Sequence, residues 1–414
     1  MSGLQLQSAL GLLALCVLAW VLGGCRWGVS WRVVIAGLAL QIGLAAALLH
    51  VPPLRAGFAV LGDGVAALAE ATRQGTALVF GYLGGAPLPF AETRPGGSFI
   101  LFFQALPLVL VVGALSAVLY HWRVLPVVVG LMSRGLRRAF GIDGATGFST
   151  AANVFVGMVE APLLIRPWLA RLTRSGLFVV MVGGLATISG NTLVVYALIL
   201  SPVVPDAAGQ LLTASLISAP AAVLAALLMM PETEAARVEA DAEPPRLYDS
   251  TMEAIVRGTG DGLQLLLGIM ASLIVFVALV ALVNMMLEPL TGLTLQRVFA
   301  VLFWPLAFAM GVPAESAGAV AASLGVKVVV NEFVAYLDLA TSGGAGLDAR
   351  SRLILTYALC GFTNFGSVGI MLGGMTAMCP ERRVDIVKLG LPSLAAASVA
   401  CCMTGAAVGL LTPP

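Results

Sequence analysis

Residues 151–168 read Ala-Ala-Asn-Val-Phe-Val-Gly-Met-Val-Glu-Ala-Pro-Leu-Leu-Ile-Arg-Pro-Trp, and this stretch decides how the rest of the chain is interpreted. It holds one carboxylate, Glu160, among apolar residues, with Gly157 and Pro162 nearby. An acidic group at the centre of a bilayer costs at least about 2.5–3.5 kcal/mol on insertion scales, so other groups must offset that cost. Glycine and proline can open a helix and free backbone groups for a solute or ion, which lipid permits only around a cavity. The alternative is a carboxylate at a hairpin end that pairs with Arg166.

The composition of the whole chain is that of a membrane protein. Of its 414 residues, 59% are hydrophobic and only 10% are charged, whereas soluble domains carry about 25% charged residues. Too few charges remain to cover a water-facing surface of this size, so lipid must cover much of it. The net charge of +1 gives no reason to expect nucleic acid as a partner.

Eight apolar segments are long enough to cross the hydrocarbon core, which takes about 20 residues. They are residues 5–24, 32–50, 98–120, 175–200, 210–230, 262–288, 351–378 and 389–411. Two further segments, 141–168 and 311–340, are apolar but interrupted by Gly, Pro, Asn and Glu. Residues 54–82 mix small apolar residues with charged ones, which is typical of an amphipathic helix, either in the membrane interface or packed on other helices. The sequence therefore predicts an all-α polytopic membrane protein with eight transmembrane helices.

The arginines and lysines of the short loops predict the orientation, because cytoplasmic loops carry an excess of these residues. Most of them fall on one side if both termini lie outside a bacterial-type inner membrane and each interrupted segment enters and leaves on one face. Segments 141–168 and 311–340 are then two re-entrant hairpins of opposite orientation. Arg350 and Arg352 do not fit this arrangement, because it places them outside.

The chain divides into two similar halves around a hydrophilic linker, residues 231–261. Each half has an interrupted segment with a glutamate, Glu160 or Glu332, and then a span with a Gly-rich polar break. Paired interrupted segments of this kind indicate the central site of a transporter with an inverted repeat. The predicted parts are 1–97 (scaffold helices and interfacial helix), 98–140 (scaffold span three and connector), 141–203 (first hairpin and span four), 204–288 (scaffold spans five and six with the linker), 289–380 (second hairpin and span seven) and 381–414 (span eight).

Several polar residues of the interrupted segments are candidate ligand-binding groups. Asn364 and Ser367 are three residues apart and share a helix face, so they could bind two hydroxyl groups. Asn153 and Thr187, with carbonyls freed by a helix break, could surround a small hard cation. Packing between helices is the alternative for each of them.

Two classes of protein are excluded by motifs that the sequence lacks. It has no phosphate loop of the form G-x-x-x-x-G-K-[ST], so concentrative transport would have to use an ion gradient. Its two histidines, His50 and His121, lie outside both interrupted segments and have no catalytic neighbours, which argues against an intramembrane hydrolase. The sequence predicts neither an enzyme nor a cofactor.

Three stretches, residues 153–167, 331–339 and 356–367, resemble the concentrative nucleoside transporter family, and residues 380–383 fit it too. The resemblance covers most of the chain from about residue 98. It implies eight transmembrane helices, two opposed hairpins and a homotrimer held by a scaffold that includes the interfacial helix. It also implies that a transport domain moves in elevator fashion and couples nucleoside uptake to sodium or protons.

The resemblance also assigns roles to individual residues. It implies that the ribose hydroxyls bind to Glu332, Asn364 and Ser367. Glu160 would help bind the nucleobase, and Phe362 would pack near the sugar or base. The sodium site would be formed by the side chains of Asn153 and Thr187 and the carbonyls of Val156 and Ile188.

The sequence departs from the family pattern on the base side of this site. The residues before the first glutamate are commonly Gly-Gln-Thr/Ser-Glu, but here they are Gly157, Met158, Val159 and Glu160. Each polar group left unsatisfied in a dry pocket costs about 1–3 kcal/mol, so polar base edges should bind less well. Asn191 or Thr192 could supply a replacement group. The hypothesis is a nucleoside or related ribosyl compound with an altered base preference.

Two alternatives to sodium symport stay open. The sodium-type positions are kept, but a carboxyl group of Glu160 or Glu332 could carry a proton instead. The same scaffold could also serve as a solute receptor or a passive channel.

Overall fold

The computed structural model describes residues 2–92, 97–233, 246–344 and 346–413, and within these ranges the chain forms nineteen α-helices and no β-strand. In chain order the helices are α1 (Gly3–Leu22), α2 (Trp31–His50), α3 (Pro52–Phe80), α4 (Leu101–Gln104), α5 (Leu108–His121), α6 (Val124–Phe140), α7 (Gly144–Asn153), α8 (Glu160–Leu164), α9 (Arg166–Leu169), α10 (Arg174–Ala186), α11 (Gly190–Leu200), α12 (Ala207–Met229), α13 (Thr251–Thr291), α14 (Leu295–Ala309), α15 (Ala314–Val329), α16 (Glu332–Asp338), α17 (Ala349–Leu359), α18 (Phe365–Met378) and α19 (Arg383–Leu411). The predicted all-α class is confirmed.

Seven helical segments of the described chain are long and apolar enough to cross a membrane, or eight if the bent pair α14 and α15 counts as one span. The seven correspond to the predicted spans one to six and span eight, and span four is the broken pair α10 and α11. The predicted span seven, residues 351–378, is divided into α17 and α18 by residues 360–364. A multi-span membrane fold is therefore confirmed.

Both interrupted segments fold as a helix, a break and a short helix that begins at the glutamate. In the first half, α7 ends at Asn153 and α8 begins at Glu160. In the second half, α15 ends at Val329 and α16 begins at Glu332. Each is followed by a span that breaks near its middle, between α10 and α11 or between α17 and α18. The repeat predicted from the sequence is thus a repeat of helices and breaks, and the membrane face at which each segment enters stays a prediction.

Polar side chains and a backbone contact hold the helix starts that follow the breaks. Asn331 caps α16 by accepting a bond from the Val334 amide at 2.9 Å, and Asn364 caps α18 in the same way. Caps of this kind satisfy amides that have no partner within the helix. The amide of Gly190, at the start of α11, donates to the Phe155 carbonyl at 2.9 Å, which ties this break to the first interrupted segment.

Two helices and one boundary differ from the sequence prediction. Helix α6 occupies the predicted connector, and the three arginines among its last seven residues suggested a loop. Helix α14 precedes the second interrupted segment and is bent by 120° from α15. Helix α13 begins at Thr251, so residues 251–261 of the predicted linker are helical. Residues 234–245 of that linker lie outside the described residues.

The predicted amphipathic segment 54–82 is a helix, α3, although it is not apolar enough to count as a span. It begins with two prolines, whose fixed φ suits the first helical turn. Most of its described side chains are exposed, and Glu70 forms an exposed ion pair with Arg73 at 2.7 Å. The helix is confirmed, and its position in the membrane interface stays a prediction.

The core lies among α10, α11, α12 and α19, whereas α13 is almost entirely exposed. Helix α13 instead crosses α5 at very close range. A Cβ atom added to Gly258 would lie 2.6 Å from the Gly113 carbonyl oxygen, and one added to Gly262 would lie 2.8 Å from the Leu110 Cα. Small residues let membrane helices approach in this way.

Arg350 and Arg352, which did not fit the predicted orientation, are both used inside the fold. Arg350 is 5% exposed and donates hydrogen bonds to the Gly311 and Gly409 carbonyls and the Ser8 hydroxyl. Arg352 donates to three carbonyls, those of Val203, Gly344 and Leu347. These arginines link distant parts of the chain and are not the free loop charges that determine orientation.

Candidate functional site

Glu332 is the buried centre of the candidate site. It is the first residue of α16 and is 4% exposed. Its Oε1 accepts a hydrogen bond from the Tyr196 hydroxyl at 2.7 Å, and its Oε2 accepts one from Asn364 Nδ2 at 2.8 Å. Burial of a carboxylate is tolerated only when its oxygens are paired. The structure therefore brings the predicted residues Glu332 and Asn364 into direct contact.

Asn364 connects this carboxylate to the broken span. Its Oδ1 accepts a bond from the Ser367 amide at 2.7 Å while its Nδ2 donates to Glu332. Phe362 in this break and Ser367 in the first turn of α18, also predicted for the site, are buried. The neighbouring Thr363 hydroxyl is buried without a hydrogen-bond partner in the described structure. An orphaned hydroxyl at this position is a group that a polar solute would satisfy.

Tyr196 is a site residue that the sequence analysis missed. It lies in α11, is 2% exposed, and packs its ring against Phe333 and Tyr336 with centroid distances of 5.8 and 5.0 Å. A buried tyrosine hydroxyl usually finds a partner, so a tyrosine inside an apolar span was a usable signal. The identity of the partner was not predictable, because Glu332 is 136 residues away in sequence.

Glu160 is placed differently from Glu332. It is exposed, and its carboxylate folds back over Gly157. A side chain at Gly157 would collide with this carboxylate, so glycine permits the folded-back position. Glu160 interacts electrostatically with Asp261 of α13, which was not a predicted site residue. That Glu160 and Glu332 belong to one central site stays a prediction.

Met158 and Val159 are half-buried and pack against neighbouring spans. A Cβ atom added to Gly184 of α10 would lie 3.3 Å from the Met158 Cβ. One added to Gly374 of α18 would lie 2.7 Å from a Val159 methyl group. These two apolar residues therefore connect the first interrupted segment to both broken spans.

The two residues expected to replace the missing polar groups are already engaged. The Thr192 hydroxyl is buried and donates to the Ser189 carbonyl at 3.0 Å. Asn191 accepts a bond from Ser116 of α5 at 3.1 Å. Asn191 therefore joins the broken span to the neighbouring helix through its amide oxygen.

The candidate sodium ligands lie around the break in span four. Asn153, at the end of α7, is 2% exposed. Its amide nitrogen has no hydrogen-bond partner among the described residues and lies beside Gly184. Thr187 is fully buried and donates to the Gly183 carbonyl at 3.0 Å, which leaves the lone pairs of its oxygen free. The carbonyl of Ile188 accepts a bond from Ser215 at 3.3 Å, and Val156 lies in the turn after α7. An amide turned to present its oxygen beside Thr187 would suit a hard cation.

The fold and this site define a class of protein. Interrupted segments and broken spans that converge on a buried carboxylate in a multi-span helical protein are typical of a secondary transporter. Three family models match the chain, namely Na⁺ dependent nucleoside transporter N-terminus over residues 10–83, nucleoside recognition over 102–203, and Na⁺ dependent nucleoside transporter C-terminus over 210–409. The chain belongs to the Na⁺ dependent nucleoside transporter family and is a nucleoside transporter rather than an enzyme.

Individual relatives agree with this assignment over nearly the whole chain. The nucleoside permease NupC of Helicobacter pylori is 31% identical, covering 98% of this chain and 97% of its own length. The sodium/nucleoside cotransporter 1 of mouse is 33% identical, covering 99% of this chain and 64% of its own length. The solved structure of CNTnw in an inward-facing substrate-bound state has a TM-score of 0.90 and 35% identity, with 99% of each chain covered.

Proposed function

We propose that this chain carries a nucleoside, or a related ribosyl compound with an altered base preference, into the cell together with sodium. The observation that carries the proposal is the buried carboxylate of Glu332, bonded to Asn364 across two interrupted elements. A carboxylate that accepts and an amide that both donates and accepts can bind two adjacent hydroxyl groups. The family name and these groups together support ribose as the recognised part of the solute.

The base side of the solute would meet fewer polar groups than the ribose side. Met158 and Val159 are apolar and packed, and Asn191 and Thr192 are already bonded to protein. Glu160 is the exposed polar group that a base can still reach. A base that needs several hydrogen bonds is therefore expected to bind more weakly than one that needs few.

The break in span four supports sodium as the coupling ion. Asn153 and Thr187 place buried polar groups at the ends of α7 and α10, and the carbonyls of Val156 and Ile188 would complete the site. The C-terminal end of a helix carries partial negative charge, which favours a cation. The sodium would therefore bind in the first half, next to the segment that holds Glu160.

The alternating movement would be of the elevator type. The crossing of α5 and α13 forms part of a scaffold, and the broken spans touch it through Ser116 and through Phe276, which lies over Gly366. Few polar contacts of this kind need to change when a transport domain slides. A homotrimer in a bacterial-type inner membrane, with both termini outside, completes the proposal, and native mass spectrometry of the protein in detergent would give the subunit number.

Uptake by proteoliposomes with a panel of labelled nucleosides tests this function. Solute should accumulate with an inward sodium gradient and fail to accumulate in the Glu332→Gln variant. Binding without uptake would indicate a receptor, and equilibration without accumulation would indicate a channel.

Proton coupling is the second candidate. The carboxyl group of Glu160 or of Glu332 would then carry the proton. Sodium dependence of uptake at fixed pH separates the two ions. Uptake that does not depend on sodium but depends on a pH gradient would indicate that the coupling ion is a proton.

A further inference from the structure

Lys327 is a buried cation that the function described so far does not use. It lies in α15, five residues before Glu332, and is 1% exposed. Its ammonium donates a hydrogen bond to the Ala358 carbonyl at 2.8 Å. An ionisable residue within a membrane span is costly and is retained where it has a partner and a role.

The place of Lys327 in the second half matches the place of Asn153 in the first half. Asn153 is the last residue of α7 and lies beside Gly184, two residues before the end of α10. Lys327 is two residues before the end of α15 and contacts Ala358, one residue before the end of α17. In both halves, the end of the first hairpin helix therefore meets the last turn of the half-helix before a break.

The electrostatic surroundings of Lys327 favour a cation. Ala358 belongs to the C-terminal turn of α17, where the helix dipole and carbonyls without helical partners carry negative charge. The ammonium also interacts with the negative charge of Glu332. Within the described residues, the side-chain hydrogen bonds to Glu332 come from neutral groups, Tyr196 and Asn364. Lys327 is the positively charged residue that interacts electrostatically with Glu332 in the described structure.

We propose that the Lys327 ammonium is the built-in cation of the second half. It occupies the helix end that corresponds to the sodium position of the first half, and it balances the charge of Glu332. The second half consequently needs no ion of its own. This inference rests on the sodium coupling proposed above.

The test compares Lys327→Gln with Lys327→Arg. Glutamine keeps a hydrogen-bond donor, one bond shorter than that of lysine, but removes the charge, whereas arginine keeps the charge. Melting temperatures of the purified full-length protein are measured against sodium concentration, with choline holding the ionic strength constant. Each sodium ion that binds the folded protein makes its stability depend more steeply on the sodium concentration. A second sodium site should therefore make the melting temperature rise about twice as steeply with sodium concentration.

The unaltered chain and Lys327→Arg should show the steepness expected for one sodium. Lys327→Gln should show about twice that steepness, because a second sodium replaces the lost charge. Equal steepness in the glutamine and arginine variants would overturn the proposal, since it would leave Lys327 only the role of a hydrogen-bond donor.

A second comparison covers the case in which Lys327→Gln folds poorly. The double variant Lys327→Gln/Glu332→Gln removes both charges, so it should melt at a higher temperature than Lys327→Gln alone. A double variant that is no more stable than the single one would overturn the charge balance. If the unaltered chain shows no response to sodium, the proposed coupling ion is wrong, and this second comparison still decides the role of Lys327.

Discussion

Both carboxylate oxygens of Glu332 accept a hydrogen bond from the protein, and this affects how a solute can bind. Tyr196 and Asn364 each occupy one carboxylate oxygen, but a carboxylate oxygen has a second lone pair and can accept a further bond. Solute hydroxyls can therefore join this network without first breaking it. The protein contacts hold the carboxylate in place, which lowers the ordering cost of binding.

Tyr196→Phe should weaken solute binding, because it removes one of the two donors that hold Glu332. The loss is expected to be about 1–3 kcal/mol, since a buried acceptor loses a partner. The KM for uptake measures it. Tyr357→Phe is the control, because it removes another buried hydroxyl whose bond goes to Gln210 instead. Equal effects in both variants would show that Tyr196 has no special link to the site.

Met158→Gln should strengthen binding of nucleosides whose bases have several polar edges, by about tenfold or 1.4 kcal/mol. The physical reason is that a restored amide can pair with a base group that is otherwise unsatisfied. Competition against labelled solute measures the affinities, and a ribosyl compound without polar base edges is the control. Ordinary uridine affinity that Met158→Gln leaves unchanged would contradict the prediction.

Asn153→Ala should raise the sodium concentration needed for half-maximal uptake by about tenfold, because one ligand of the cation is lost. Ser149→Ala is the matched control, since Ser149 lies on the same helix and its buried hydroxyl also lacks a partner. Uptake at varied sodium and constant ionic strength measures both. A similar sodium dependence in Asn153→Ala and the unaltered chain would exclude Asn153 as a ligand.

The site was predictable from the sequence where a polar residue stands inside an apolar segment, as Glu332 and Asn364 do. Their contact could be expected from the family resemblance, and the structure contains it. Lys327 carried the same kind of signal and was overlooked. Tyr196 could not have been assigned, because its bond to Glu332 depends on how α11 and α16 pack. The outward position of Glu160 was equally unpredictable, since it depends on a local fold-back of its own side chain.

At the scale of elements, breaks were easier to predict than helix ends. Glycine and polar residues at 183–191 and 361–367 indicated where spans four and seven divide, and both do divide there. Helix α6 was missed because its arginines suggested a loop, although apolar residues recur between them. The bend between α14 and α15 depends on tertiary packing, which a hydropathy pattern does not contain.

Gly258→Ala should destabilise the packing of α13 against α5, because an added Cβ would lie 2.6 Å from the Gly113 carbonyl oxygen and the two helices would have to separate. A loss of about 1–3 kcal/mol is expected from such overpacking. Gly260→Ala is the control on the same helix, where nothing lies within 4 Å. It should stabilise slightly, because alanine favours helix over glycine. Thermal unfolding in detergent compares them, and equal melting temperatures would contradict the close crossing.

At the scale of the whole molecule, composition alone predicted a multi-span helical protein, and this was correct. The arginine count gave a less direct answer, because a sequence does not show which arginines are bonded inside the fold. Arg350 and Arg352 are such residues, and the side of the membrane on which the termini lie stays a prediction. The two halves share their helix order but differ in charge. The first offers neutral groups around Asn153, and the second holds Lys327 and Glu332.

Accumulation of a nucleoside driven by a sodium gradient can be measured in proteoliposomes. Proteoliposomes containing the purified chain are given an inward sodium gradient and a labelled nucleoside at equal concentration on both sides. The nucleoside should accumulate inside, and a sodium ionophore should abolish the accumulation. Concentrations that stay equal across the membrane whether or not the sodium gradient is present would contradict it.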